Sequence, residues 1–409
     1  MTQDQTGPAG QENAGERLSP LHDEHVALGA SLTSFGGWQM PLRYTSDLAE
    51  HRAVREAAGL FDLSHMGEIE VAGPQAAAAL DHALVGNLTA VAPGRARYTM
   101  ICAEDGSVLD DLVVYRLDDE RFLVVANAGN AGLVARELVA RAAGFDATVT
   151  DQGSGTALVA VQGPRAKEIV AGLVVVGVPG ATGADDDPVQ VVRSMKYYAA
   201  APVVLGAEDG PVDALVARTG YTGEDGFELF VPADRAPALW RAVLAAGTPV
   251  GLVPAGLSAR DSLRLEAGMP LYGHELDTTT TPYEAGLGRV VRLDKTAPDG
   301  SPLPFVGRDA LAARKASPPA RVLVGLRGLG RRPARAGYGV VLPEAGGEVR
   351  RIGTVTSGAP SPTLGHPVAM AYVSPEFAAE GTELAVDVRG RAEPVVVVPL
   401  PFYRRPQQS

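Results

Sequence analysis

The chain has 409 residues, 46% apolar and 5% aromatic, with one cysteine, seven histidines and a formal net charge of −12. That length allows two or three domains of roughly 100–200 residues each, and the acidic balance argues against a nucleic-acid binder, which would carry a basic field. No apolar run approaches the ~20 residues a membrane helix needs, and the single thiol, Cys102, excludes an intramolecular disulfide framework or a cysteine-rich metal site.

Residues 1–17 are polar and Gly/Gln-rich and lack the basic and apolar regions of a signal peptide. They read as a disordered leader, and a cytoplasmic, acidic enzyme is the default. His22 and His25 lie three apart on a short helix over 21–26 and read as a surface face; no metal is expected. Residues 31–40 predict a strand ending in a Gly36-Gly37 turn, and 47–58 a helix stopped by Gly59. Period-two alternation marks 67–71 as a half-buried strand. Pro74 opens a helix that runs to Leu84. Strands over 112–116 and 122–126 join across Asp118-Asp119, and 133–143 is helical. An apolar strand over 156–162 precedes a helix opened by Gly163-Pro164, and 174–188 is a Gly-, Pro- and Asp-rich loop. Helices follow over 232–246, with Trp240 in a core, and over 257–266. Beyond Pro318-Pro319 come six short strands, at 322–326, 339–342, 353–356, 368–372, 384–388 and 394–398, which predict a small antiparallel barrel or sandwich. Hairpins mixed with helices indicate an α+β class. There is no P-loop and no G-x-G-x-x-G between a strand and a helix, nor a nucleophile-elbow serine.

Three segments carry chemistry. In Arg218-Thr219-Gly220-Tyr221-Thr222-Gly223-Glu224-Asp225-Gly226-Phe227-Glu228, three glycines pin a turn between strands over 213–217 and 227–231, with Glu228 just inside the second. A carboxylate on rigid backbone suits a heterocycle that offers two N–H donors side by side. In the second segment, Asp110 and Asp111 follow the Asp105-Gly106 turn and face opposite sides of one strand, so one should meet solvent and the other the interior. An inward carboxylate needs partners or takes up a proton; aimed into a cleft, it can stabilise a developing cation or accept a proton. In the third, Arg260 and Arg264 share a helix face, and Asp261 lies three before Arg264. One arginine suits a surface ion pair, the other an anionic or carbonyl ligand group.

Together with Phe35-Gly36-Gly37-Trp38-Gln39-Met40-Pro41-Leu42, Gly59-Leu60-Phe61-Asp62-Leu63-Ser64-His65-Met66-Gly67, residues 356–365 and Pro401-Phe402-Tyr403-Arg404, these segments resemble the T-protein family of the glycine cleavage system. The resemblance runs from about Leu18 to Arg404. It implies a three-domain cloverleaf around a central hole that holds folate: residues 18–68 with 151–250, residues 69–150 with 251–316, and a C-terminal β-barrel over 317–405. It further implies transfer of a one-carbon unit from the aminomethyl-lipoyl arm of an H-protein to tetrahydrofolate, giving 5,10-methylenetetrahydrofolate and ammonia. By resemblance, Asp111 matches the essential aspartate, Glu228 the glutamate that grips the pterin edge, and Arg260 a folate-contacting arginine. Tyr98, Met66, Asn127, Tyr115, Tyr272, Tyr403 and Arg404 match other cleft-lining positions. Arg289 stands where several relatives have tryptophan. Two other activities occur among proteins of this kind, folate-dependent demethylation and folate-linked support of iron–sulfur enzymes. The second goes with a cysteine where this chain has Arg218-Thr219-Gly220-Tyr221. Arg95, Arg97, Lys196, Arg331 and Arg332 are candidates for the surface that meets the lipoyl protein.

Overall fold

Thr156–Gln162 is buried along almost its whole length because neighbours cover both faces of the sheet to which it belongs. That six-stranded sheet runs Ala200–Ala207, Gly210–Ala217, Gly226–Pro232, Thr156–Gln162, Ala58–Asp62, Leu252–Pro254, antiparallel until the last pair, which is parallel. The computed structural model describes residues 15–175, 187–297, 300–343 and 349–406. One face of the sheet packs on the helices Ala166–Gly172 and Ala236–Gly247, with Ile169, Leu239 and the fully buried Trp240 in the shared core. Its other face meets a second sheet, Phe61, Leu158 and Phe230 packing against Tyr115, Leu123 and Val125.

This second sheet is antiparallel throughout, in the order Arg95–Cys102, Val108–Arg116, Arg121–Ala126, Gly67–Ala72, Thr148–Asp151. The helices Ala76–Ala83 and Ala131–Arg141 cover its far side. The last unit is a closed barrel of Val322–Gly328, Pro367–Val373, Val349–Pro360, Gly339–Pro343, Glu383–Asp387 and Ala392–Val398. These are the six strands read from the sequence, and closure leaves no edge to protect. Among the described residues no helix is long and apolar enough to cross a membrane.

Several elements differ from their sequence patterns. Residues 31–40 form no single strand: Ser31–Phe35 and Trp38–Arg43 pair as a hairpin, because Gly36 and Gly37 at φ +58° and +83° turn the chain mid-run. The Asp47–Glu56 helix, capped by Ser46, ends before Gly59, which lies inside the strand Ala58–Asp62. A Cβ on Gly59 would lie 2.5 Å from Val54 Cγ2, so this glycine serves close packing and not a helix stop. His25 is fully buried, not on a surface face: its Nε2 meets Asp62 at 2.8 Å and its Nδ1 the Tyr44 hydroxyl at 2.9 Å. Arg17–Leu18 already pairs with Trp38 and Gln39, while the rest of the predicted leader up to residue 14 lies outside the described residues. So does most of the 174–188 loop, which ends at a helix, Pro188–Ser194, capped by Asp187. Leu252–Pro254 carries the first sheet past the boundary expected at 250, and Gly67–Ala72 crosses the one expected at 68.

Trp240 fills the centre of the first core with no exposed surface. Trp240→Ala is therefore expected to lower unfolding free energy by about 3–5 kcal/mol. Chemical denaturation checks this, and a loss under about 1 kcal/mol would mean that the site collapses around the void.

Candidate active site

The two sheets and the barrel enclose a cavity of about 1360 Å³. Single small-molecule pockets usually span roughly 300–1000 Å³, so this one has room for two reactants. The second sheet contributes Asp111. Strand alternation sends Asp110 into the interior and Asp111 the other way, but the face predicted to meet solvent meets the cavity. Neither is a solvated strand-entry acid. Tyr98, on the neighbouring strand, donates its hydroxyl to Asp111 Oδ2 at 3.0 Å, and Asn127 Nδ2 donates to Oδ1 at 2.9 Å. Asp110 is fully buried and accepts from the Asn127 backbone N–H at 3.0 Å, from Asn127 Nδ2 at 2.9 Å and from Asn130 Nδ2 at 2.7 Å. Asn127, one residue past the strand Arg121–Ala126, thus serves both acids. Burial pushes the Asp111 carboxyl up to about 6, against the opposing hydrogen bonds from Tyr98 and Asn127. Burial, and then the charge of Asp111, also raises Asp110.

The first sheet contributes Glu228. Its cross-strand neighbours are Ala160 and Ala217, whose small side chains leave space for a carboxylate. Tyr115 donates to Glu228 Oε2 at 3.1 Å, and the Thr219 hydroxyl bonds the same oxygen. One carboxylate oxygen is thereby fixed and the group faces the cavity. The glycine-rich turn before it is held tightly. A Cβ on Gly220 or Gly226 would come within 2.0 or 2.4 Å of the Gln162 side chain, which itself bonds Thr219 O at 3.1 Å and Thr222 Oγ1 at 2.9 Å. Asp225 is taken up by Arg218 through two bonds of 2.8 and 2.6 Å, and Glu224 by Arg55 at 3.0 Å.

Arg260 lines the cavity from the helix Leu257–Glu266, its guanidinium carbon 4.7 Å from the Tyr221 ring centre. Arg264 is not in a surface pair. It is 1% exposed and binds Glu275 at 2.9 Å, Ser357 at 2.8 Å and Asp261 at 2.7 Å. Of the remaining predicted residues, Tyr98, Met66, Asn127, Tyr115 and Tyr272 line the cavity. Tyr403 and Arg404 do not: Leu400 and Pro401 take the lining positions, while Tyr403 lies under Arg55 and Arg404 is exposed. Arg289 and Arg97 stand on the cavity wall. Cys102 is a core residue whose thiol burial pushes up to about 12. His65, which no sequence pattern marks, lines the cavity at 2% exposure, its imidazole pushed down to about 4 chiefly by burial. One of seven scattered histidines, it carried no signal beyond its place beside Met66.

Removing a donor to a buried carboxylate raises its pKa. Asn127→Ala is expected to move the Asp111 titration above about 6, followed by carboxyl-carbon NMR; an unmoved or lowered midpoint would contradict the arrangement.

Comparison with known proteins agrees with this architecture. Residues 21–295 match the family model described as GCVT N-terminal domain, and 321–404 the one described as glycine cleavage T-protein C-terminal barrel domain. The chain is 58% identical over 393 residues to an aminomethyltransferase of Streptomyces coelicolor, covering 95% of this chain and 98% of that one. It is 51% identical over 396 residues to one of Corynebacterium jeikeium, with 95% and 98% covered. The solved glycine cleavage system aminomethyltransferase T from Bartonella henselae superposes with a TM-score of 0.81 at 36% identity, covering 95% of this chain and 99% of that one. The chain belongs to the glycine cleavage T-protein family and is an aminomethyltransferase.

Proposed function

We propose that the cavity takes tetrahydrofolate together with the aminomethyl-loaded lipoyl arm of an H-protein, and that the chain moves the one-carbon unit between them in the cytoplasm. In this reaction the carbon loses its bonds to nitrogen and sulfur and gains two bonds to folate nitrogens. The two protons those nitrogens release go to ammonia and to the lipoyl thiol. The observation that carries this reading is that Asp111 and Glu228, on two different sheets, face one cavity large enough for both reactants.

The side chains divide the work. Glu228, with one oxygen held by Tyr115 and Thr219, accepts the adjacent N–H donors of the pterin edge. Arg260, half-buried on the cavity wall, offers its guanidinium to carbonyl or carboxylate oxygen. Met66, Tyr115 and Tyr272 shape the wall. Departure of nitrogen or sulfur builds iminium-like positive charge on the carbon. A preorganised carboxylate facing that carbon lowers the barrier without reorganising at the moment of reaction. Asp111, oriented by Tyr98 and Asn127, is that carboxylate, acting chiefly by charge and orientation.

The reading is tested by tetrahydrofolate-dependent ammonia release from an aminomethyl-loaded lipoyl protein, with two variants to separate the roles. Asp111→Asn should lower turnover by about 100-fold or more while tetrahydrofolate still binds. Glu228→Gln should weaken tetrahydrofolate binding by about tenfold or more, since a site built to pair N–H groups is left mismatched. Full turnover in the first, or unchanged affinity in the second, contradicts the corresponding role.

A further inference from the structure

Arg55 lies outside the cavity, yet its contacts stand directly behind both ligand-facing groups. It occupies the last turn of the helix Asp47–Glu56, where a cation is favoured, and its side chain is 7% exposed. Each guanidinium nitrogen bonds a different set of partners. Nη1 donates to Thr222 O at 2.7 Å and to Glu224 Oε1 at 3.0 Å. Nη2 donates to Glu266 Oε2 at 2.8 Å and Leu263 O at 3.4 Å. Nε faces Glu266 Oε2 at 3.2 Å and Thr363 Oγ1 at 3.3 Å. The Tyr403 ring closes one face, its centroid 4.1 Å from the guanidinium carbon.

Those partners belong to three pieces that are distant in sequence. Thr222 and Glu224 lie in the turn between Gly220 and Gly226 that delivers Glu228. Leu263 and Glu266 close the helix that carries Arg260. Thr363 and Tyr403 come from segments that belong to the barrel end of the chain. Gln162 and the Arg218–Asp225 pair hold the turn from the sheet side, and Arg55 holds it from the other. Glu266 completes the junction by accepting from Ser361 Oγ, Thr363 N and Thr363 Oγ1, and by meeting His51 Nε2 at 3.2 Å.

We infer that Arg55 is a positioning residue for ligand binding, fixing Glu228 and Arg260 in one frame by bonding the glycine-rich turn, the Leu257–Glu266 helix and the barrel simultaneously. The planar fork of the guanidinium makes this possible; an ammonium keeps the charge but cannot serve three segments in fixed directions. The inference rests on the reading of Glu228 as the tetrahydrofolate contact.

The test measures tetrahydrofolate affinity by titration calorimetry, and turnover at saturating tetrahydrofolate, for the unmodified protein, Arg55→Lys, Glu224→Gln, Glu228→Gln and the double variant Arg55→Lys/Glu228→Gln. Arg55→Lys should weaken binding about tenfold while kcat stays within about twofold. Glu224→Gln, which leaves the Arg55–Glu266 bonds in place, should shift affinity in the same direction by less. Added to Glu228→Gln, the Arg55→Lys change should cost much less than its own factor, because part of its effect passes through Glu228. A general loss of structure would instead lower kcat too. Unaltered affinity in both Arg55→Lys and Glu224→Gln, or factors that multiply in full in the double variant, would overturn the inference alone. Failure of the unmodified protein to bind tetrahydrofolate would overturn the functional reading and this inference with it.

Discussion

The site depends on keeping a carboxylate ionisable on the wall of a cavity between packed sheets. Burial alone drives an acid towards its neutral form, and Asp111 is held against that tendency by two donors, Tyr98 and Asn127. Asp110 sets the cost of the arrangement: its own burial requires three donors, and two of them come from Asn127. The Asn127 side chain therefore links two acids on opposite faces of one strand. A single register shift in that strand would exchange the interior acid with the cavity acid, so the pairing of Arg95–Cys102 with Val108–Arg116 decides which acid faces the cavity.

A second constraint is that Asp111 and Glu228 sit on separate sheets, so the geometry of the cavity is the geometry of the junction between units. The helix Leu257–Glu266 is central to that junction. Along ten residues it sends Arg260 to the cavity, Arg264 to Glu275 and Ser357, and Glu266 to Arg55, His51, Ser361 and Thr363. Buried ion pairs of this kind add little net stability compared with apolar packing, but breaking one by removing a single partner is costly. The hydrogen bonds of Glu266 outweigh its burial and hold its carboxyl down at about 2, so it stays charged through the physiological range.

Much of this was legible in the sequence, for identifiable reasons. The six barrel strands are short, alternating and punctuated by Gly and Pro, and each is where the pattern put it. The Leu257–Glu266 helix has at both ends the bounds expected from the sequence. The glycine-rich turn was readable because Gly220 and Gly226 have no room for a side chain against Gln162. Tertiary contacts unseen by local pattern produced the differences. His25 and Arg264 look like surface residues by spacing and are buried because Asp62 and Glu275, distant in sequence, pair with them. Gly59 resembles a helix stop and is a packing glycine. Arg55 reads as an ordinary helical charge until segments near 222, 266, 363 and 403 converge on it.

The central claim is that the ionised form of Asp111 drives the transfer. The most direct measurement is the pH dependence of single-turnover transfer at saturating tetrahydrofolate. With the Asp111 carboxyl raised to about 6, the rate should hold above that value and fall as pH drops through it, because protonation removes the charge that stabilises the developing cation. The same limb should disappear in Asp111→Asn. A rate that ignores pH through that range, or an acid limb that survives in the variant, would contradict the account.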